Sequence, residues 1–428
     1  MKRLAHLLFI CSIATAMWAQ TSIPSAEAKP SPAEQGIAQA QRLIEKNPKN
    51  YEAYNALALA LSRRARETSD VKFYAEADET LKKSFEITPD NFDGMRIEVW
   101  LLLGKHEFAA AREEAIKLNK RMPDDIMVYG FLTDANVELG NYDEAEKSAQ
   151  LMLDLRPGNS PGVTRAAYLR ELFGDVDGAL ELMDMALQST NPSEVEDAAW
   201  ILTQMAHLQL SVGKVADAEK NLQHALTLFP GYHYALGNLA KVRMAQKHYD
   251  EAVQLLQQRY QAAPHAENLY DLAKALQLAG RTEEAKRALA EFEQKSLLET
   301  DRADNSNREL IFYYADYAHQ PLQALEVAKR EFARRHDVYT LDSYAWALHV
   351  NGRNQEARNQ VETALAVGIR DSKMLRHAGE IALATGDRAT AQKYLQQAAD
   401  LNTGDSAMAR ATLAHLSAGN QEKLLQHR

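Results

Sequence analysis

A recurring small residue limits what this chain can become. Aligned on the phrase Asn141-Tyr142-Asp143-Glu144-Ala145, which returns as His248-Tyr249-Asp250-Glu251-Ala252, the chain places alanines at Ala77, Ala111, Ala145, Ala179, Ala218, Ala252, Ala285, Ala324, Ala357 and Ala391. The intervals are 34, 34, 34, 39, 34, 33, 39, 33 and 34 residues. A period of this length marks stacked supersecondary units, none of which can bury its apolar face alone. Other residues keep the phase. Gly140, Gly174, Gly213, Gly280, Gly352 and Gly386 stand five residues before their alanines, and Pro89, Pro123, Pro157, Pro230 and Pro264 stand twelve after. Between these marks apolar residues recur at three and four, as in Leu222, Ala225 and Leu226, which is helical spacing. Each unit therefore reads as helix, glycine turn, helix and proline stop, because glycine permits the turn and proline cannot continue the second helix.

This pattern resembles the tetratricopeptide repeat. The family's small-residue positions are filled by Leu132 and Thr133, Leu239 and Ala240, and Leu272 and Ala273. The resemblance covers residues 34–405 as about ten repeats and implies an all-α fold, a right-handed α-solenoid of helix–turn–helix units. The long intervals predict insertions near 64–72, between the helices of the first repeat, and near 190–196 and 299–305, the last two polar and loop-like. Ala33–Lys46 reads as a helix capping the N-terminal end, and residues 406–428 as a capping helix and tail, since an end repeat lacks a neighbour to cover it.

The N-terminus points to export. Lys2 and Arg3 precede an apolar run from Leu4 to Met17, and Ala14, Ala16 and Ala19 offer small residues for cleavage, so residues 1–19 read as a signal peptide. The run falls short of the ~20 apolar residues a membrane span requires. Residues 20–33 read as a flexible linker. Localisation is then periplasmic or secreted. The single cysteine, Cys11, lies inside the apolar run, and bulky Ile10 before it argues against lipidation. Cleavage after Ala16 or Ala19 removes disulfides, thiolate metal sites and cysteine nucleophiles together. The net charge of −10, or −12 without Lys2 and Arg3, argues against a nucleic-acid partner, which needs a basic stripe.

Neither a phosphate-binding glycine loop nor an HExxH pattern occurs in the chain. His377 with Glu380 and His248 with Glu251 come closest to metal pairs, but two ligands do not hold an ion, so no metal and no cofactor are expected. The basic run Lys329–His336 reads as helix-end cations that suit the dipole. By elimination the chain reads as a non-catalytic scaffold, not an enzyme.

The resemblance implies a concave groove lined by the first helices, which holds another protein or a peptide segment. Carried residue by residue, its facing positions are Trp100, Phe131, Tyr168 and Trp200 in the first half. Tyr234, Asn238, Lys241, Tyr270 and Lys274 follow, and then Tyr313, Tyr339, Trp346 and Arg376. Tyrosine and tryptophan supply large rigid contact area at low entropic cost. Glu267 and Asp271 stand where chaperone-binding relatives carry cations, so the carboxylate clamp of those relatives is not expected. Stacked rings also suit sugars, so the alternative is a glycan or small-ligand binder of the cell envelope.

Overall fold

The computed structural model describes residues 30–401 and 403–426. The signal-peptide segment and most of the linker lie outside them. Every regular element among the described residues is helical. α1 (Pro32–Lys46) leads into ten hairpins. The first five are α2 (Tyr51–Thr68) with α3 (Lys72–Ile87), α4 (Phe92–Gly104) with α5 (Phe108–Arg121), α6 (Ile126–Glu138) with α7 (Tyr142–Leu155), α8 (Ser160–Leu172) with α9 (Val176–Ser189), and α10 (Val195–Ser211) with α11 (Val215–Leu228). Next come α12 (His233–Ala245) with α13 (Tyr249–Ala262) and α14 (Ala266–Leu278) with α15 (Thr282–Leu297). In the eighth, α16 (Asn307–Phe312) runs on through a π-helical turn at Tyr313–Tyr317 and pairs with α17 (Pro321–Phe332). α18 (Val338–Val350) with α19 (Asn354–Ala366), α20 (Ser372–Ala384) with α21 (Arg388–Asp400), and a last helix α22 (Ser406–Gln426) complete the all-α solenoid.

Local chemistry sets these boundaries. Asn50, Asn91, Asp125, Asn159 and Asp371 each cap a first helix by accepting from a backbone N–H of its first turn. Ser31 and Glu34 form a capping box with Pro32 behind it, so α1 begins two residues inside the segment read as linker. The phased alanines are buried where the helices of a hairpin cross. The insertions are absorbed differently at each place. α2 lengthens to 18 residues, an irregular loop follows Thr190, and residues 298–306 form a longer loop before α16.

Three hairpin turns lack the phased glycine yet keep its left-handed backbone, at His106 (φ 60°), Lys247 (φ 65°) and His319 (φ 53°). A side chain there carries a steric cost that glycine avoids. Lys247 is exposed, and among the described residues its ammonium makes no ion pair. Lys247→Gly is therefore expected to stabilise the chain by about 1 kcal/mol, read as a higher urea midpoint; a lower midpoint would refute the strain.

The core is a succession of apolar clusters between neighbouring hairpins, with one exception. The largest cluster joins Val137, Ala145, Leu169 and Leu172 of the third and fourth hairpins to residues of the sixth to tenth. Packing between units so far apart in sequence means that the solenoid coils back onto itself.

Candidate functional site

A row of helical hairpins has two edges, the turns within hairpins and the loops between them. Here the turn edge of early hairpins meets the loop edge of late ones. His106 Nδ1 in the second turn faces Asp304 Oδ1 at 3.6 Å. In the third, His336 N donates to Glu138 O at 3.0 Å and Val338 N donates to Tyr142 Oη at 2.9 Å. In the fourth, Gly174 and Gly368 approach so closely that a Cβ on Gly174 would lie 2.5 Å from the Gly368 carbonyl oxygen. Gly213 of the fifth turn faces Leu401 O. At the N-terminal end, Arg66 pairs with Glu196 and with Asp197 (2.9 Å), and Tyr232 Oη donates to Glu196 at 2.9 Å. This seam joins successive turns of the coil and encloses a lumen lined by the first helices.

The two helix sets differ in their electrostatics. On second helices, Lys117, Lys147 and Lys286 stand in open solvent beside acids three residues away. On first helices, Lys241 reaches solvent and yet is walled in by protein, which lowers its ammonium pKa through desolvation. Lys373 of α20 is pushed down to about 8, first by burial and next by Lys274 of α14, three hairpins away. Tyr168 and Tyr339 are raised well above the usual phenol range by burial, and Tyr234 is pushed up to about 12 by burial and then by Glu267.

The expected groove residues separate into three groups. Lys241 and Lys274 are exposed to the lumen with no ion-pair partner among the described residues, and Lys274 Nζ lies 5.5 Å from the Tyr270 ring centroid. Tyr168, Tyr234, Asn238 and Tyr339 are half-buried along the same wall. Trp100 and Trp200 are half-buried too, and four of the rest differ from expectation. Phe131, Tyr270, Trp346 and Arg376 are only 2–6% exposed and fill the space between adjacent first helices. Trp346 Nε1 donates to Asp316 at 2.7 Å, and Arg376 pairs with Glu380 (2.9 Å) and Asp405 (3.1 Å). Trp100 Nε1 donates to Ser62 Oγ at 2.7 Å, and Trp200 packs against two core clusters. Tyr313 turns outward, its hydroxyl donating to Glu293 of α15 at 3.0 Å. The π-helical turn shifts the phase there, and Arg308 and Phe312 of the same helix meet Tyr339, Lys373 and His377 instead.

The histidine pairs are structural. His377 is fully buried, with Nδ1 2.8 Å from Asp342 Oδ1 and its ring stacked on Trp346 at 4.1 Å, while Glu380 is held by Arg376. Glu251 pairs with Arg243 at 2.8 Å, leaving exposed His248 at 3.6 Å. Among the described residues no group of three or more His, Cys, Asp or Glu is arranged to hold a metal ion. Glu267 and Asp271 are both paired with Arg259, at 3.2 and 2.8 Å, so neither stands as a free negative charge.

The seam carries residues that phase alone did not single out. Glu138 faces Arg335 at 3.4 Å, and Arg335 is also bound to Glu331 at 2.6 Å. Arg334 Nη1 and Nη2 donate to the carbonyl oxygens of Thr300 and Asp301. The basic run thus clamps the 298–306 loop and the seam. The available signal was Gly368, a glycine out of phase with the others, with φ 117°.

Glu138 gives the seam a pH dependence. Burial, then the negative charge of Asp337, push its carboxyl up to about 7 from 4.5 against Arg335 and Arg308, with Asp134 adding to the rise. The folded chain holds this proton where the unfolded chain releases it, so stability falls as pH rises from about 4.5 to about 7. Glu138→Gln is expected to flatten that part of the profile in denaturation measured between pH 4 and pH 8. An unchanged slope in the variant would refute the assignment.

The comparisons agree with a helical-repeat fold. A family model described as tetratricopeptide repeat matches residues 209–265. No curated protein matches the chain. Among solved structures, Cut9 in the APC/C hetero-tetramer Cut9-Hcn1 is similar with a TM-score of 0.51 and 14% identity over 83% of this chain. This chain spans 60% of the length of that one. The human IFIT1 dimer with m7Gppp-AAAA is similar with a TM-score of 0.50 and 15% identity, over 86% of this chain and 85% of the other. At such identities the likeness is one of fold.

Proposed function

We propose that this tetratricopeptide-type solenoid is a non-catalytic scaffold that holds a protein or peptide segment in its lumen. The supporting observation is the wall formed by α12 and α14. Lys241 and Lys274 occupy the same position in consecutive hairpins, are exposed, lack ion-pair partners among the described residues, and stand among half-buried Tyr234, Tyr339 and Tyr168. The neighbouring Arg259, Arg308 and Arg376 each have a carboxylate. Exposed ammonium groups and tyrosine edges suit backbone carbonyls and acidic side chains. An RNA occupant is disfavoured by the net charge of −10 and by the acids Glu309, Asp316 and Asp371 in the same region.

The test is site-specific photo-crosslinking in the native cell. A benzophenone side chain at Tyr339 or Lys241 is expected to capture a defined protein, and the same group at Lys286 on the outer helix α15 is not. Capture from Lys286 with none from the two lumen positions would refute the reading.

We further propose that the chain works outside the cytoplasm, in the assembly of the cell envelope. Lys2, Arg3, the apolar run and the small residues after it support export. Terminal sequencing of the native protein is expected to begin at Met17 or Gln20, and a chain retaining Met1 would overturn export.

A further inference from the structure

We propose that the lumen admits its partner only end-first: the occupant is an extended polypeptide with a free terminus, and a segment tethered at both ends is excluded. The inference rests on the lumen being the binding surface and adds how that surface is reached.

An open solenoid presents a groove that a partner enters sideways between successive turns of the coil. Here the two edges that would frame that opening are in contact at level after level. At the fourth turn the contact is backbone on backbone: a Cβ on Gly174 would stand 2.5 Å from Gly368 O, and one on Gly368 would stand 2.7 Å from Phe173 O. No side chain lies between them to swing aside. One level away the late edge donates two main-chain N–H groups to the early one, His336 N to the Glu138 carbonyl at 3.0 Å and Val338 N to the Tyr142 hydroxyl at 2.9 Å, backed by the Arg335 pairs. At the N-terminal level the lock is Arg66 with Glu196 and Asp197. Entry through the wall requires breaking several of these levels together, whereas entry along the axis breaks none.

A chain threaded end-first enters as one strand, and a segment fixed at both ends must enter doubled.

The experiment uses the full chain and two phage-displayed random-peptide libraries, one with free N-termini and one closed as loops between the strands of a folded domain. Three proteins are compared: the wild type, Gly174→Val and Gly280→Val. Gly174 and Gly280 share a left-handed backbone (φ 82° and 74°), but nothing lies within 4 Å of a Cβ at Gly280, so the second variant reports backbone strain without a broken seam. We expect the wild type and Gly280→Val to retain the free-ended library at least about tenfold better than the looped one, a factor worth about 1.4 kcal/mol. Gly174→Val is expected to close that gap. Equal retention of both libraries by the wild type overturns end-first entry and leaves the lumen as the binding surface. Retention of neither library overturns the lumen reading itself, and retention of single-stranded RNA in their place moves the occupant to another class and overturns the proposal. If Gly174→Val fails to fold, the two libraries on the wild type still decide the question.

Discussion

Glu331→Ala is expected to destabilise the chain by about 3–5 kcal/mol, the range for breaking a buried charge pair from one side. The Glu331 carboxylate is 1% exposed, pairs with Arg335 at 2.6 Å, and accepts from Asn307 Nδ2 at 3.0 Å and Asn305 Nδ2 at 3.2 Å. Alanine removes all three interactions. Arg335 is left with Glu138 at 3.4 Å and Asp337 at 3.8 Å, and the Asn307 amide with the Thr300 carbonyl alone. Because hairpins depend on their neighbours, the loss should appear first as local opening around α16–α18, seen as faster amide exchange, and then as a lower urea midpoint. Glu331→Gln, which keeps an acceptor, should cost less. Equal midpoints for wild type and Glu331→Ala would show that the carboxylate does not hold the loop.

Phe292→Ala should have an effect of similar size, about 3–5 kcal/mol for removing a fully buried ring from a packed core. Phe292 is buried in α15, with Tyr270 at 5.3 Å on one side and Tyr313 at 5.8 Å on the other. Both neighbours were expected in the groove, and the variant checks their reassignment. If Tyr270 and Tyr313 are core residues, Phe292→Ala lowers the urea midpoint strongly. Lys241→Ala and Tyr339→Phe, on the lumen wall, should then move it by no more than about 0.5 kcal/mol. A neutral Phe292→Ala would return Tyr270 to the binding surface.

The repeat was legible because its causes are local. Alanine at the helix crossing, glycine at the turn and proline after the second helix act within one hairpin, and phase alone placed ten hairpins. The lumen wall was legible in part for the same reason: Lys241, Lys274, Tyr234 and Tyr339 follow from position within the first helix. Phe131, Tyr270, Trp346 and Arg376 do not, because facing a neighbouring hairpin and facing the lumen differ by a fraction of a helical turn. The Tyr313 phase fails for another local reason, a π-helical turn that spacing does not encode. The seam joins residues as far apart as Glu138 and His336, and depends on how far each hairpin rotates against the last. No periodicity within the chain states that rotation.

A solenoid held together only by neighbours can gain or lose a unit with little consequence. In this chain the turn of the third hairpin meets the loop after the eighth, the fourth meets the loop after the ninth, and the fifth meets the residues after the tenth. That offset of five ties the copy number to the geometry. Deleting one internal hairpin would put every seam contact spanning it out of register at once, setting glycine-lined approaches such as Gly174 against Gly368 opposite side chains they cannot accommodate. Length variation in this molecule is therefore confined to its ends and to loops away from the seam, and an internal hairpin is held in its place by the register of the seam.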